Sequence, residues 1–154
     1  MRIVFIDTSI FCNMVPVPGR DQHREEVLEE YQARLARGDK MILPITAVIE
    51  SGNFIAQIAD GAVRRTTAGK FSAVLSLIAK GRAPWVLNSV TWDGQFISDL
   101  VDGGGSGASL IDHAVARVGT GDLCILCERV QYVRRSKLDA VEIWTKDAGL
   151  AAHS

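Results

Sequence analysis

The sequence has no long apolar run and few cysteines, and both absences narrow the classes of protein that it can encode. No apolar stretch approaches the roughly 20 residues that a transmembrane helix needs. The N-terminal run Ile3–Ile6 is broken by Asp7 too early for a secretory signal. The three cysteines are an odd number, which argues against a disulfide framework and favours a reducing compartment. We therefore expect a soluble cytoplasmic protein that does not enter the membrane.

The chain also lacks an excess of charge of either sign. Its formal net charge is −1, so no overall basicity indicates nucleic-acid binding. Its 154 residues are 47% hydrophobic, which is enough for a sizeable core. This length is typical of one domain, and we expect residues 1–154 to form a single domain. Cys124 and Cys127 form a C-x-x-C pair, but no second pair of metal ligands accompanies them, so packing in a buried helix is expected.

Short apolar runs alternate with longer helical patterns, which is typical of an α/β domain built from βαβ units. We predict a central parallel sheet of about four strands, with strands at 2–6, 41–43, 85–87 and 141–144. Helical patterns cover 8–14, 21–37, 45–59, 68–79, 91–101, 108–117 and 122–135. The glycine-rich segment 102–107 lacks the Lys-Ser/Thr of a phosphate-binding loop and is predicted to be a flexible connector.

Four acidic residues lie where this topology would gather them. Asp7 and Asp147 follow two predicted strands, and Glu50 and Asp122 lie near the starts of two predicted helices. Ligands of open parallel sheets collect at the carboxyl ends of the strands, so the four carboxylates are expected to share one cleft. Like charges that close repel one another strongly. An oxygen-rich site of this kind suits Mg²⁺ or Mn²⁺.

Each of these acids also has a local explanation. Asp7 and Asp122 could cap the helices that follow them. Glu50 could be a surface residue of an amphipathic helix, and Asp147 could be a turn residue beside Gly149. Taken one at a time, these explanations are the more common ones. The joint pattern of four acids under one topology is what favours a shared metal site.

The ordered set of motifs resembles the four acidic motifs of PIN-domain ribonucleases. The segments that carry the resemblance are Phe5–Ser9, the helix around Glu50, Gly119–Leu126 and Trp144–Leu150, which span almost the whole chain. The resemblance implies a three-layer α/β/α fold and an endoribonuclease that depends on one or two ions of Mg²⁺ or Mn²⁺. It also implies that Asp7 and Asp122 are the main metal ligands, and that Glu50 and Asp147 hold a second ion or orient water.

Hydroxyl residues flank the acids, and they are expected to support them by hydrogen bonding, as partners of metal ligands commonly do. These residues are Thr8, Ser9, Thr120 and Thr145. Ser and Thr also cap helices for purely local reasons, so this role is an expectation only. Two basic clusters are candidates for contacts with RNA phosphates, or else are solvated helix ends. They are Arg64 with Arg65, and Arg134 with Arg135.

Among PIN-domain proteins the chain looks most like the VapC-type toxins of toxin–antitoxin pairs. That likeness implies RNA as the substrate, a cognate antitoxin and a homodimer. One alternative is an RNA-processing nuclease of the same fold without an antitoxin, and another is an interaction module that keeps the fold without the chemistry. A phosphatase of the Asp-x-Asp type is disfavoured, because Ser9 stands two residues after Asp7.

Overall fold

The computed structural model describes residues 1–138 and 140–154, which form a four-stranded parallel sheet covered by helices on both faces. The strands are β1 (Ile3–Ile6), β2 (Lys40–Leu43), β3 (Trp85–Leu87) and β4 (Val141–Trp144). The helices are α1 (Thr8–Met14), α2 (Arg24–Ala36), α3 (Ile45–Ala56), α4 (Gly61–Ala79), α5 (Gly94–Val101), α6 (Leu110–Val115), α7 (Thr120–Ser136) and α8 (Ala148–Ala151). The predicted α/β class with a parallel sheet of four strands is confirmed.

The strand order β3-β2-β1-β4 places β1 inside the sheet. All four of its residues are apolar and buried, as a strand covered on both faces requires. Val4 and Ile6 pack into one apolar cluster, together with residues of α1 to α4. Ile3 and Phe5 point to the opposite face and pack with residues of α7 and α8. This alternation along one strand gives the molecule its three layers.

Several helices begin at other residues than the sequence pattern predicts, because caps rather than apolar periodicity set their starts. Helix α4 begins at Gly61 instead of residue 68, since Asp60 accepts a hydrogen bond from the backbone N–H of Val63 at 2.9 Å. Residues 61–66 are exposed and so leave no apolar signal. Helices α5 and α6 are shorter than predicted and begin after the caps Asp93 and Ser109. Helix α8 is too short to have been predicted.

The glycine-rich segment is packed against the core rather than acting as a flexible connector. Gly103 and Gly104 are buried and have φ angles of +87° and +63°. A Cβ atom on Gly104 would lie 2.7 Å from the Cβ of Leu126 in α7. Glycine is therefore needed at this position both for the left-handed backbone and for the close approach of the segment to α7.

The cysteines behave as small apolar residues of the core. All three are free thiols, with Cys12 and Cys127 buried and Cys124 half-buried. Burial raises the pKa of the Cys127 thiol to about 12, so this group stays protonated at neutral pH. Among the residues that the structure describes, no helix is long and apolar enough to cross a membrane.

Helix α7 carries a buried carboxyl group, Glu128, that no sequence pattern indicates. Its side chain is only 1% exposed, and neither carboxyl oxygen has a hydrogen-bond partner among the described residues. Burial raises the pKa of Glu128 to about 7, and the nearby backbone N–H of Ile45 opposes this rise without forming a hydrogen bond of normal geometry. An uncharged carboxyl is the form that such an environment tolerates.

We expect the substitution Glu128→Gln to stabilise the protein in alkaline solution. The folded protein keeps the Glu128 proton up to about pH 7, whereas the unfolded chain releases it near the ordinary pKa of 4.5. The free energy of unfolding therefore falls by about 3 kcal/mol as the pH rises between these two values. It stays at the lower level above about pH 7. Urea denaturation at about pH 5 and about pH 8 should show a gain for the variant only at the higher pH.

The matched control for this prediction is Glu29→Gln, which removes an exposed carboxylate from α2. Its free energy of unfolding should stay within about 0.5 kcal/mol of the parent protein at both pH values. An equal effect of the two substitutions would show that Glu128 is solvated and ionised in the folded protein.

Candidate metal centre

One cleft brings together all four predicted acidic ligands. It has a volume of about 430 Å³, and Asp7, Glu50, Asp122 and Asp147 all line it. The carboxyl ends of β1 and β4 position Asp7 and Asp147, which is the edge where parallel sheets bind ligands. The second turn of α3 supplies Glu50, and the first turn of α7 supplies Asp122.

Asp7 is held by hydroxyl groups on one of its two carboxylate oxygens. Its Oδ2 accepts hydrogen bonds from the Ser9 hydroxyl at 2.8 Å and from the Thr145 hydroxyl at 2.6 Å. The backbone N–H of Ser9 also donates to Oδ2 at 3.4 Å, so Asp7 caps α1 as its local explanation suggests. The other oxygen, Oδ1, is buried and has no partner among the described residues. Capping accounts for one oxygen and leaves the second without a structural role.

Glu50 is fixed between a hydroxyl group and a glycine. The Thr8 hydroxyl donates to Oε1 of Glu50 at 2.7 Å. A Cβ atom on Gly121 would lie only 2.7 Å from Oε2, so the carboxylate lies directly against the backbone of α7. Burial raises the pKa of Glu50, the Thr8 hydrogen bond opposes this, and the negative charge of Asp7 adds to it. Glu50 is thus not the solvated surface residue that its local explanation requires.

Asp122 is the acid whose ionisation the cleft disfavours most clearly. It lies in the first turn of α7, and Gly119 rather than Asp122 occupies the N-cap position. Burial raises the pKa of Asp122 to about 7, and the negative charges of the three other acids contribute to the rise. This mutual repulsion shows that the four carboxylates are close enough to interact. A cation in the cleft would reverse the effect and favour the ionised form.

Asp147 combines a local role with a place in the cleft. Its Oδ1 accepts hydrogen bonds from the backbone N–H groups of Gly149 at 2.8 Å and Leu150 at 3.3 Å, so it caps α8. Its own N–H donates to the Thr145 hydroxyl at 2.9 Å. Thr145 therefore links Asp147 to Asp7, and one hydroxyl group sets the relative position of two acids.

The carboxylate oxygens of the cleft suit a hard divalent cation, although their side chains do not converge on one point. Among residues 1–138 and 140–154, no three His, Cys, Asp or Glu side chains are arranged so that they could hold a metal ion as they stand. The buried Oδ1 of Asp7 nevertheless has no partner among the described residues and the pKa of Asp122 is raised, and a divalent cation would offset both effects. Carboxylate oxygens are also the ligands that Mg²⁺ and Mn²⁺ prefer.

Not every residue predicted from the sequence belongs to this cleft. Thr8, Ser9 and Thr145 hydrogen bond to the acids, whereas Thr120 is exposed and makes no side-chain hydrogen bond to a described residue.

The basic clusters lie outside the cleft. Arg134 forms a bidentate pair with Asp99 at 3.1 and 3.3 Å, and Arg135 donates to Ser89 and Asn88. Arg134 thus connects α7 to α5, and Arg135 connects α7 to the residues that directly follow β3. Arg64 and Arg65 line a separate shallow depression on α4.

The cleft also contains side chains that the sequence analysis did not single out as candidates. Arg20 and Phe54 form part of its rim, and Lys146 lies between Thr145 and Asp147. Arg20 follows α1, which has seven residues and is therefore only about 10 Å long. So short a helix keeps the chain near the strand ends, but no sequence pattern gives the path of the loop that places Arg20 in the cleft.

Comparisons with protein-family models, with curated proteins and with solved structures found no match to this chain. Its function therefore has to be inferred from its own residues and their arrangement.

Proposed function

We propose that this chain is a divalent-metal-dependent endoribonuclease of the PIN type, which hydrolyses phosphodiester bonds of RNA. The observation that carries the proposal is the meeting of four carboxylates from four separate elements in one cleft. Helix capping accounts for Asp7 and Asp147 only in part, because each uses one oxygen. It does not account for Glu50 or Asp122. Four repelling charges in one place are costly unless a ligand offsets them.

The hydrogen bonds of the cleft indicate which carboxylate atoms would hold the metal. Ser9 and Thr145 occupy Oδ2 of Asp7, so Oδ1 is the atom left to bind a cation. Asp122 accepts no hydrogen bond from the described residues and would complete the principal site. Thr8 holds Oε1 of Glu50, which leaves Oε2 for a second ion or its water.

Hydrolysis of a phosphodiester needs an activated water and a stabilised leaving oxygen. When bound, Mg²⁺ or Mn²⁺ supplies a water of lowered pKa and positive charge beside the leaving oxygen. The residues of the chain orient these groups and control the protons of the cleft. Because the pKa of Asp122 is raised to about 7, a large fraction of this carboxyl group is protonated in neutral solution, and the proton must leave before the group can bind a cation. Cation binding should therefore strengthen as the pH rises through this value.

The resemblance to VapC-type toxins also supplies the partners that we propose. They are RNA as substrate, a cognate antitoxin and a second copy of the chain. An RNA-processing nuclease without an antitoxin would use the same cleft and the same chemistry. Growth arrest on expression of the chain, relieved by the product of a neighbouring small gene, would distinguish the toxin from that enzyme.

We expect the purified protein to cleave single-stranded RNA internally in the presence of Mg²⁺ or Mn²⁺, and to lose this activity with a chelator. Cleavage is followed on an RNA labelled at its 5′ end, and melting temperatures are measured with and without Mn²⁺. A cation that binds the folded protein alone raises the melting temperature by mass action. An RNA that stays intact while Mn²⁺ stabilises the protein would favour the non-catalytic interaction module. Cleavage that persists with the chelator would overturn the proposed mechanism.

A further inference from the structure

One cation on the rim of the acidic cleft is not engaged by the rest of the chain. Arg20 is exposed and lines the same cleft as the four acids. Within the described residues its guanidinium forms no salt bridge and no hydrogen bond. Lys146, in contrast, is paired with Glu26, and Arg24 donates to the backbone carbonyl groups of Asn13 and Met14 at 2.7 and 2.8 Å. Among the described residues that line this cleft, Arg20 is thus the cationic side chain without an ion-pair or hydrogen-bond partner.

An aromatic ring fixes the position of Arg20. The Cζ atom of its guanidinium lies 3.3 Å from the centroid of the Phe54 ring, so the planar group is stacked on the ring. Stacking uses the face of the guanidinium and leaves its five N–H donors free at the edge. Phe54 is itself partly buried against the core, which makes it a firm support. The donors are therefore held at the rim at a low cost in conformational entropy.

The contacts of Arg20 favour an external anion over a carboxylate of the cleft. Burial raises the pKa of Glu50 and the charge of Arg20 opposes this rise, so the two groups interact. They do not form a salt bridge, although both line the same cleft. Arginine binds phosphate with two parallel hydrogen bonds, and these are stronger than hydrogen bonds between neutral groups.

We propose that Arg20, stacked on Phe54, anchors one phosphate of the RNA backbone beside the bond that is cut. The inference rests on the proposed ribonuclease function and adds a positioning residue to it. An RNA that approaches the cleft meets four acids, so a fixed cation at the rim offsets this repulsion where the strand enters. A phosphate contact sets the register of the strand and carries no information about base sequence. Arg20 should therefore affect the binding of every RNA sequence to a similar extent.

The test compares Arg20→Ala with Lys80→Ala, which removes the same charge from the end of α4. Lys80 shortly precedes β3 and therefore lies toward the amino-terminal ends of the strands, whereas the cleft lies at their carboxyl ends. We expect Arg20→Ala to lower kcat/KM by about 10- to 100-fold, which is the loss expected when one bidentate arginine–phosphate contact is removed. The change should appear in KM, while kcat stays within about twofold of the parent value. The slope of log KM against log salt concentration should fall by about 0.7, as expected for one lost phosphate contact to a single strand.

Two further variants and a modified RNA separate phosphate binding from a merely structural role. Arg20→Lys keeps the charge without the planar fork and should recover only part of the loss. Phe54→Leu removes the aromatic support and should raise KM with the charge still present. RNA with one uncharged methylphosphonate linkage at a time should impair the parent protein at the scissile linkage, where the reaction occurs, and at one neighbouring linkage, which Arg20 would contact. At the neighbouring linkage, Arg20→Ala should cleave the modified RNA as fast as the unmodified RNA, because the variant has already lost the contact.

The outcomes distinguish the Arg20 inference from the proposed function. If the parent protein cleaves RNA and Arg20→Ala has the same kcat/KM and salt dependence as Lys80→Ala, the inference is overturned and the nuclease stands. If no RNA is cleaved, fluorescence anisotropy with a labelled single-stranded RNA decides. Weaker binding by Arg20→Ala alone would support the phosphate site without the nuclease, and equal binding by both variants would overturn it.

Discussion

Replacing Asp7 with asparagine is expected to lower the metal-dependent rate of RNA cleavage by about 10³-fold, which is a loss of about 4 kcal/mol of transition-state stabilisation. Asparagine has nearly the size of aspartate and is an equally good N-cap residue, so α1 should persist. Its amide has only one oxygen. If that oxygen accepts the hydrogen bonds of Ser9 and Thr145, the NH₂ group takes the place of the unpaired Oδ1 and faces the cation. If the amide is turned round, those hydrogen bonds are lost.

The rate is measured with saturating Mn²⁺ on the labelled RNA, and the melting temperature is measured with a chelator. The matched control is Asp102→Asn, because Asp102 is exposed at the end of α5, outside the cleft. Without metal, the Asp7 variant should be at least as stable as the parent, since one of four mutually repelling charges is gone. Cleavage at the parental rate would remove Asp7 from the mechanism and the proposed metal site with it.

Replacing Gly121 with alanine is expected to lower cleavage by about 10- to 100-fold without unfolding the protein. The added Cβ would lie 2.7 Å from Cδ and Oε2 of Glu50 and 3.0 Å from Oε1, which is too close for any of these atoms. Glu50 is the end of a flexible side chain, so its carboxylate should move and lose the Thr8 hydrogen bond. Alanine is favourable inside a helix, so the melting temperature should not fall.

A double-mutant cycle decides whether this effect passes through Glu50. In a Glu50→Ala background, Gly121→Ala should cause no further loss, because the carboxylate that it displaces is absent. Gly119→Ala is the local control, since a Cβ there meets nothing within 4 Å. Independent, additive losses from Glu50→Ala and Gly121→Ala would show that the glycine matters for another reason.

The sheet could be predicted from the sequence because its strands are short, apolar and buried. The runs predicted at 85–87 and 141–144 coincide with β3 and β4. The start of α4 and the whole of α8 were missed for one physical reason. Neither segment has a long apolar face, and each begins at an aspartate whose side chain caps it. A cap is a hydrogen bond between single atoms, and the spacing of apolar residues does not predict it.

The sequence predicts the part of the candidate site that the sheet topology places. It does not predict the part that depends on the paths of the loops. The four acids follow from the rule that places ligands at the carboxyl ends of parallel strands. Arg20 lies in a loop whose direction no periodic pattern encodes, and its stacking on Phe54 is a contact between distant segments. Glu128 was missed for a related reason, because only the tertiary packing shows that its carboxyl is buried and unpaired.

The position of β1 between β2 and β4 has a consequence for when the acidic cleft of a growing chain can be completed. Asp7 is synthesised 138 residues before Thr145, whose hydroxyl group donates a hydrogen bond to it. Until β4 has been synthesised, β1 has an open edge on that side, and Asp7 lacks one of its two hydroxyl partners. Contacts of such long range form late. The nascent protein therefore carries Asp7 in an unfinished cleft until β4 has been made, and β4 completes that cleft.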